Sequence, residues 1–293
     1  MEYQQRGFTV SNQAGRLYVV ATPIGNQGDL SDRAREVLGR VDTVAAEDTR
    51  HTGRLLARWG IRPRLISLHE HNEDGRLAGL LAQLSKGESV ALACDAGTPL
   101  ISDPGYRLVR GLRSQGIGVE AVPGPSSITA ALSVAGLPTD RFVYEGFLPA
   151  KPAARWQRLA ALAHERRTLV LLESSHRIRA SIEAMASAFG ASREAAVCRE
   201  LTKAHETVRL DSLQALSVWL ADDTNRRRGE FVMVVAGAEE PSADPVDGET
   251  ERVLSILADE LPTKQAAQLA SRITGASRNA LYARALASRD DGE

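Results

Sequence analysis

From Leu17 onward the chain alternates between short apolar runs and amphipathic stretches. LYVVAT (17–22) predicts a strand. Ser31 predicts the cap of a helix whose apolar positions Ala34, Val37, Leu38 and Val41 follow the i, i+3, i+4, i+7 spacing that puts side chains on one face. TVAAE (43–47) predicts a second strand, and RLLARWG (54–60) a helix closed by Gly60. RLISLHE (64–70) is a third. A helix bearing Leu77, Leu80, Leu81 and Leu84 follows and ends at Gly87. SVALAC (89–94), a helix after Pro104 and VEAVP (119–123) complete the run. Five strands separated by four helical segments predict a mostly parallel, helix-covered sheet.

PGPSS (123–127) breaks this pattern, and a small-residue helix spanning 128–135 follows it. RFVYEGF (141–147), TLVLLES (168–174), EAAVCREL (194–201), HETVRL (205–210) and EFVMVVAG (230–237) are strand-like. HETVRL comes too soon after its predecessor for a helical crossover, which predicts antiparallel pairing there. The expected architecture is therefore α/β and two-lobed. A mostly parallel N-terminal lobe (15–124) is followed by a mixed-sheet C-terminal lobe (125–238). Residues 239–250 read as an acidic linker carrying Glu239, Glu240, Asp244, Asp247 and Glu249. Helices over 253–261, 263–273 and from Ser277 onward form a small module (251–289). Gly275 supplies the turn of a helix-turn-helix-like pair, and a plain docking bundle is the alternative. In the second helix Ala266, Leu269, Ala270 and Ile273 share one face for packing, leaving Lys264, Arg272, Arg278 and Arg284 to face outward.

Charge refines the picture. The net formal charge is −1. The two lobes carry 14 basic against 13 acidic groups and 15 against 12, so they are about +4 together, and the linker masks it. Only Lys86, Lys151, Lys203 and Lys264 among 36 basic residues are lysine. Arginine's planar fork suits phosphates and stacking on bases. No apolar run approaches the roughly 20 residues of a membrane span, and the N-terminus lacks a secretory layout, so a cytoplasmic location is expected. Cys94 and Cys198 each sit in an apolar run and are expected to be reduced core thiols.

Several chemistries lack their motifs. There is no P-loop, and the loop after the first strand, TPIGNQGD, lacks the dinucleotide glycine spacing. HExxH, CxxC and G-x-S-x-G are also missing. His69 and His71 flank Glu70 without further ligands at sensible spacing, so no metal is expected. Three loops sit where strands end: TPIGN, Glu47-Asp48-Thr49-Arg50-His51-Thr52, and Asp95 to Gly105. Each alone could be an ordinary turn or helix cap. Together, at the carboxyl edge of a parallel sheet, they predict a ligand crevice rich in carboxylates and arginines. Such a site suits proton transfer by a carboxylate or histidine.

At these residues the chain resembles the RsmI family, ribosomal RNA small subunit methyltransferase I, within the tetrapyrrole methylase superfamily. The resemblance rests on LYVVATPIGN, AAEDTRHTG, LHEHNE, CDAGTPLISDPGYRLV, PGPSS, AGLPTDRFVYEGFLPAK, LLESSHRI, CRELTKAHET and RRRGEFVMVV, in order over 17–236. LPTKQAA and NALYARAL resemble the family's C-terminal helical module. This implies 2′-O-methylation of a cytidine in the decoding region of 16S rRNA. It also implies S-adenosylmethionine between the lobes and usually a homodimer. By motif, Pro23 and Gly25, then Asp95, Ala96, Gly97 and Pro99, then Ser126 and Ser127, then Glu173 and Ser174 are assigned to the cofactor cleft. Glu47 and Asp48 are the candidate bases with Arg50 as a phosphate grip, and Asp103 and Glu200 stand in reserve. Cys94 and Gln27 depart from the family pattern, which favours a serine and a short apolar residue. The expected partner is 16S rRNA within the small ribosomal subunit. Rival readings are a small-molecule, tetrapyrrole-type methylase and a non-catalytic RNA-binding factor.

Overall fold

The computed structural model describes residues 15–69, 71–239 and 248–290. They fall into two compact units, one up to Ala236 and one from Gly237 on. The first unit holds two five-stranded sheets.

The first sheet is wholly parallel. Its strands are β1 (Arg16–Val20), β2 (Thr43–Ala46), β3 (Arg64–Ser67), β4 (Val90–Ala93) and β5 (Gly118–Val122), in the order β3-β2-β4-β1-β5. Between them run α1 (Asp32–Arg40), α2 (Thr49–Ala57), α3 (Glu73–Ser85) and α4 (Tyr106–Ser114). The strands are near-continuous apolar runs because helices cover both faces, and the period of two sorts their side chains. Tyr18, Val20, Val44, Ala91 and Ala93 pack with Ala34, Val37 and Leu38 of α1 and Leu56 of α2. Leu17, Ala45, Val90 and Leu92 pack on the other face with Leu80 and Leu84 of α3 and Leu108 and Leu112 of α4. Ser31 caps α1 by accepting from the Ala34 amide, as its position predicted.

This strand order decides where a ligand can enter. After β2 the chain leaves toward β3, and after β4 it leaves toward β5, so the connections part between neighbouring strands β2 and β4. That is a topological switch point, and the crevice outside the carboxyl ends of its strands is the expected binding position. The Glu47–Asp48 turn and the Asp95–Gly105 loop are the two that diverge there. Because β1 pairs with β4, the TPIGN and Asp95–Gly105 loops lie side by side. A short bridge joins them: the Thr22 and Gly97 amides each donate to the other's carbonyl, at 2.8 and 3.0 Å.

The second sheet is mixed, as expected. β6 (Phe142–Phe147), β7 (Thr168–Ser174), β8 (Glu194–Arg199), β9 (Thr207–Ser212) and β10 (Glu230–Val235) lie in the order β6-β7-β10-β8-β9. β6 and β7 are parallel; every other pairing, including β8 with β9, is antiparallel. Leu169, Leu171, Val197, Phe231 and Met233 pack beneath α6 (Pro152–Leu162), α7 (Ile178–Phe189) and α8 (Leu213–Asp222). The other face carries Val170, Ala196, Cys198, Val232 and Val234. It is covered by Ile128, Ala131 and Leu132 of α5 (Ser127–Val134), and Ile24 of the TPIGN loop joins it. One apolar side chain thus ties the TPIGN loop to the second sheet.

The second unit contains α9 (Gly248–Glu260), α10 (Thr263–Thr274) and α11 (Arg278–Asp290). α9 begins inside the stretch expected to be linker, so Gly248, Glu249 and Thr250 are helical; residues 240–247 lie outside the described residues. Gly275 ends α10 in the left-handed conformation its place in the turn called for. The packing face differs from expectation. Ala266, Ala267 and Ala270 are buried against Leu254, Leu281 and Ala285, whereas Leu269 and Ile273 are exposed. Small side chains let three short helices approach closely, and the larger ones are left outside. Arg284 faces outward as expected, but it is paired there with Glu251. No helix among the described residues is long and apolar enough to cross a membrane.

Candidate functional site

A cavity of about 500 Å³ opens outside the carboxyl ends of β2 and β4 and is walled on its far side by the second sheet. From the first sheet it takes Ile24, Glu47, Asp95, Ala96, Ile101, Ser102 and Asp103. Opposite stand Leu172 to Ser175, Cys198, Leu201 and Phe231.

Glu47, Asp95 and Asp103 meet at its floor, and the first two accept from backbone amides. The Asp48 amide donates to Asp95 Oδ1 at 3.1 Å, and the Glu47 carboxylate accepts the Asp95 amide. Burial, with Asp103 and Asp95 nearby, raises the Glu47 pKa above the ordinary carboxylate value. Asp103 is raised as well, chiefly by burial and against a hydrogen bond from the Cys94 thiol. Cys94 is driven far up by the same burial and the neighbouring Asp103 charge, so it stays a protonated thiol. Cys198, pushed up to about 12 by burial, is likewise no nucleophile. Both cysteines are buried and unpaired, as their apolar runs predicted.

The Asp95–Gly105 loop is shaped for this task. Leu100 and Ser102 hold positive φ (73° and 64°), a conformation that costs a side-chain-bearing residue energy and recurs at ligand sites. Ser102 reaches across to the Tyr144 hydroxyl of β6, 2.6 Å away, a polar tie between the two walls. Ile101 and Phe147 are exposed apolar side chains at the cavity lip.

A second cavity, of about 550 Å³, shares Ile24, Asp95, Ala96 and Glu230 with the first. Pro23, Gly25, Gln27, His51, Arg54, Leu55, Arg58 and Lys203 complete it. Here the TPIGN loop lies flat on Leu201–Lys203: the Asn26 amide donates to Thr202 Oγ1 at 3.0 Å. Lys203 is tied to Glu200 and Glu230 at 2.9 and 2.8 Å.

The residues singled out by sequence separate into groups. Glu47, Asp95, Ala96, Ser127, Glu173 and Ser174 line the first cavity, and Pro23 and Gly25 the second. Ser126 lines a neighbouring depression with Pro125 and Thr202. Gly97 and Pro99 are buried and line none of these hollows. Gly97 holds a φ of +87° and bridges to Thr22. Asp48 and Arg50 belong to α2 rather than to a loop. Asp48 is its N-cap, accepting from the Arg50 and His51 amides at 2.8 and 3.3 Å. Those bonds and the Arg50 side chain lower its pKa, and Arg50 projects outside both cavities. Glu200 also lines neither and is lowered by Lys203, against its own burial. Ile101, Ser102, Phe147, Lys203 and Glu230 were missed, although all five lie in the matched blocks quoted above. His69 contacts Asn72 at 3.1 Å; Glu70 lies outside the described residues.

Glu173 lines the cavity with a carboxylate already engaged. It accepts from the Ser174 amide at 2.8 Å and from the Ser181 hydroxyl, and pairs with Arg177 at 3.4 Å. Replacing Glu173 with alanine strands those donors in a buried place, which costs about 2 kcal/mol. A melting-temperature loss of roughly 4–8 °C is the expected result for a unit of this size. An unchanged melting temperature would free Glu173 for a direct ligand role.

Comparison with known proteins places this geometry. The family profile of tetrapyrrole (corrin/porphyrin) methylases matches residues 16–217, and that of the RsmI C-terminal HTH domain matches 244–289. A Xylella fastidiosa protein named ribosomal RNA small subunit methyltransferase I is 54% identical over 92% of this chain and 98% of its own. Its Escherichia coli O157:H7 namesake is 50% identical over 95% and 97%. Among solved structures, a Thermus thermophilus uroporphyrin-III-C-methyltransferase aligns with TM-score 0.55 and 26% identity over 76% of this chain and 95% of that one. Another, complexed with S-adenyl homocysteine, shares the fold at TM-score 0.52 and 19% identity over 76% and 97%. The two-sheet body, the crevice at its switch point and the C-terminal helices therefore belong to one known assembly, and the chain is a member of the ribosomal RNA small subunit methyltransferase I family.

Proposed function

We propose that this protein transfers a methyl group from S-adenosylmethionine to the 2′-hydroxyl of a cytidine ribose in the decoding region of 16S rRNA. Its substrate is the assembled small subunit, and it works in the cytoplasm as a homodimer. The observation that carries the chemistry is the carboxylate group Glu47, Asp95 and Asp103 facing an apolar wall. A methyl sulfonium is a cation with a bulky aromatic base attached, and it suits negative charge on one side and Ile24, Leu201 and Phe231 on the other. A cavity near 500 Å³ is within the roughly 300–1,000 Å³ of small-ligand sites.

When bound, S-adenosylmethionine supplies a methyl group that is already electrophilic. The chain's work is alignment and removal of one proton. Holding the ribose oxygen in line with the methyl group contributes roughly 7–11 kcal/mol. As the oxygen forms its bond to carbon, the carbon–sulfur bond breaks and its electron pair stays on sulfur, leaving a neutral thioether. The hydroxyl proton passes to a carboxylate. Glu47 and Asp103 suit that step because their raised pKa values bring them toward the operating pH, where a base contributes about 10²–10⁴-fold. Asp95 holds the Asp48 amide and completes the negative floor. In the second unit, exposed Lys264, Arg272 and Arg278 supply RNA contacts.

The test is methyl incorporation from labelled S-adenosylmethionine. Label in unmethylated small subunits, mapped to a cytidine 2′-oxygen in the decoding region, is the expected result. Label in a tetrapyrrole precursor alone, or in neither, overturns the reading.

A further inference from the structure

The second cavity contrasts with the first in charge. His51, Arg54 and Arg58 stand on one face of α2 and the turn after it, at spacings of three and four, so they form a row one side of the helix wide. Among the described residues, the only side-chain hydrogen bonds of the two arginines go to neutral oxygens. Arg58 donates to the Gln27 amide oxygen at 2.7 Å, and Arg54 donates through Nε to the Arg50 carbonyl at 3.3 Å. Among the described residues neither forms an ion pair, whereas many other arginines of this surface do. The terminal nitrogens of Arg54 therefore remain available to an anion, as do those of Arg58 not spent on Gln27. The row faces Asp95 and Ala96, the same wall that closes the carboxylate cavity.

We infer that His51, Arg54 and Arg58, with Gln27 orienting Arg58, hold the backbone phosphates of the RNA strand next to the methylated nucleotide. This deepens the proposed function and rests on it. A ribose 2′-oxygen is never far from its own and the following phosphate. A nucleotide whose sugar reaches Glu47 and Asp103 past Asp95 thus leaves its flanking phosphates in the adjoining cavity. Guanidinium groups grip phosphate oxygens in a fork that lysine cannot match. The only lysine in this cavity, Lys203, is already held by Glu200 and Glu230 and serves the wall rather than the strand. Opposite charge in the two cavities also orients the strand: phosphates are repelled from the carboxylate floor and drawn to the α2 row.

The test uses the full-length protein and the double variant R54A/R58A, with R54K/R58K beside it. Binding is measured to unmethylated small ribosomal subunits and to a cytidine-containing single-stranded oligoribonucleotide over a salt series, and S-adenosylmethionine affinity by calorimetry. R54A/R58A is expected to lose at least tenfold in affinity for both RNAs at low salt. The slope of log affinity against log salt should shrink by about 1.4, two single-strand phosphate contacts. Cofactor affinity should stay at the parent value. R54K/R58K should recover the slope but only part of the affinity. Neutralising Arg110 and Arg113 on α4, which line neither cavity, should cost far less. An unchanged slope in R54A/R58A overturns the inference, as does an equal loss in the α4 variant or a loss confined to the cofactor. If the parent itself fails to methylate small subunits, the proposed function fails instead, so the two failures are told apart.

Discussion

Glu47→Gln should lower the methylation rate about a hundredfold while leaving S-adenosylmethionine affinity within a few-fold of the parent. A hundredfold is the low end for losing a positioned base, and it is the appropriate end because Asp103 remains to accept the proton less well. Asp103→Asn should show a smaller loss, and the double variant a larger one than either. The pH profile carries the sign. Both carboxyls have raised pKa values, from burial first and neighbouring carboxylates second. The active base is the ionised form, so the parent rate should fall with acidification through a pH above the ordinary carboxylate range. In Glu47→Gln that limb should shift or flatten. Stability moves the other way. A carboxyl with a raised folded-state pKa contributes stability below its unfolded pKa and loses it as pH rises through the folded value. Near neutrality the ionised Glu47 is therefore a liability, and Glu47→Gln should melt higher than the parent. Full activity in the double variant, at every pH, would move proton transfer away from this floor.

How much of this was legible follows from where the signals lie. Alternating burial along β7 and β10 and the one-sided helices α1 and α3 are written in single-residue periodicities, so both sheets could be read from sequence. The strand order was not legible. It depends on which crossovers pass which way, and no local pattern records that; yet it is the order that makes TPIGN and DAGTP neighbours. Asp48 has a local role that its place in the sequence records. An aspartate directly before an amphipathic helix is an N-cap signal, and its carboxylate is consumed by the α2 amides. Glu47, one residue earlier, ends the strand and is left to face the cavity. In α10 the larger apolar residues were expected to pack, but three alanines do. Close helix approach selects for small volume, which a count of hydrophobic positions does not weigh. The arginine row was hidden for a similar reason. Arg54 and Arg58 sit within RLLARWG, where they look like the solvated face of a helix, and only the neighbouring loop turns that face into a cavity wall.

The TPIGN loop is the point where the two walls touch, and Gly25→Val is expected to do the greatest harm there. A Cβ on Gly25 would stand 2.4 Å from Lys203 Cγ, 2.8 Å from Thr202 Oγ1 and 3.1 Å from the Leu201 carbonyl oxygen. None of these can retreat cheaply. Lys203 is held by two carboxylates. Thr202 sits at a φ of +66° and accepts the Asn26 amide. The carbonyl is backbone. Valine adds a branched side chain in this gap, so the loop has to lift off Leu201–Lys203 and draw Ile24 out of the cluster on the second sheet. Ile24 lines both cavities, so both lose a wall at once. The cores on both faces of the first sheet and under α6, α7 and α8 of the second do not include it. The variant should therefore stay folded. Its S-adenosylmethionine affinity should fall at least tenfold and its methylation rate more than a hundredfold, because alignment of reactants is sensitive to displacements of about 1 Å. Gly97→Val is the instructive contrast. Its Cβ would meet only Ile24 and the Pro125 carbonyl at 3.5 and 3.9 Å, so its cost comes from the positive φ alone, about 1–2 kcal/mol. Gly97→Val should lose thermal stability and bind the cofactor nearly as the parent does, while Gly25→Val should do the reverse. Calorimetry and melting curves on the two variants decide it: parent-like cofactor affinity in a folded Gly25→Val protein would show that closure of this loop on Leu201–Lys203 is not what builds the site.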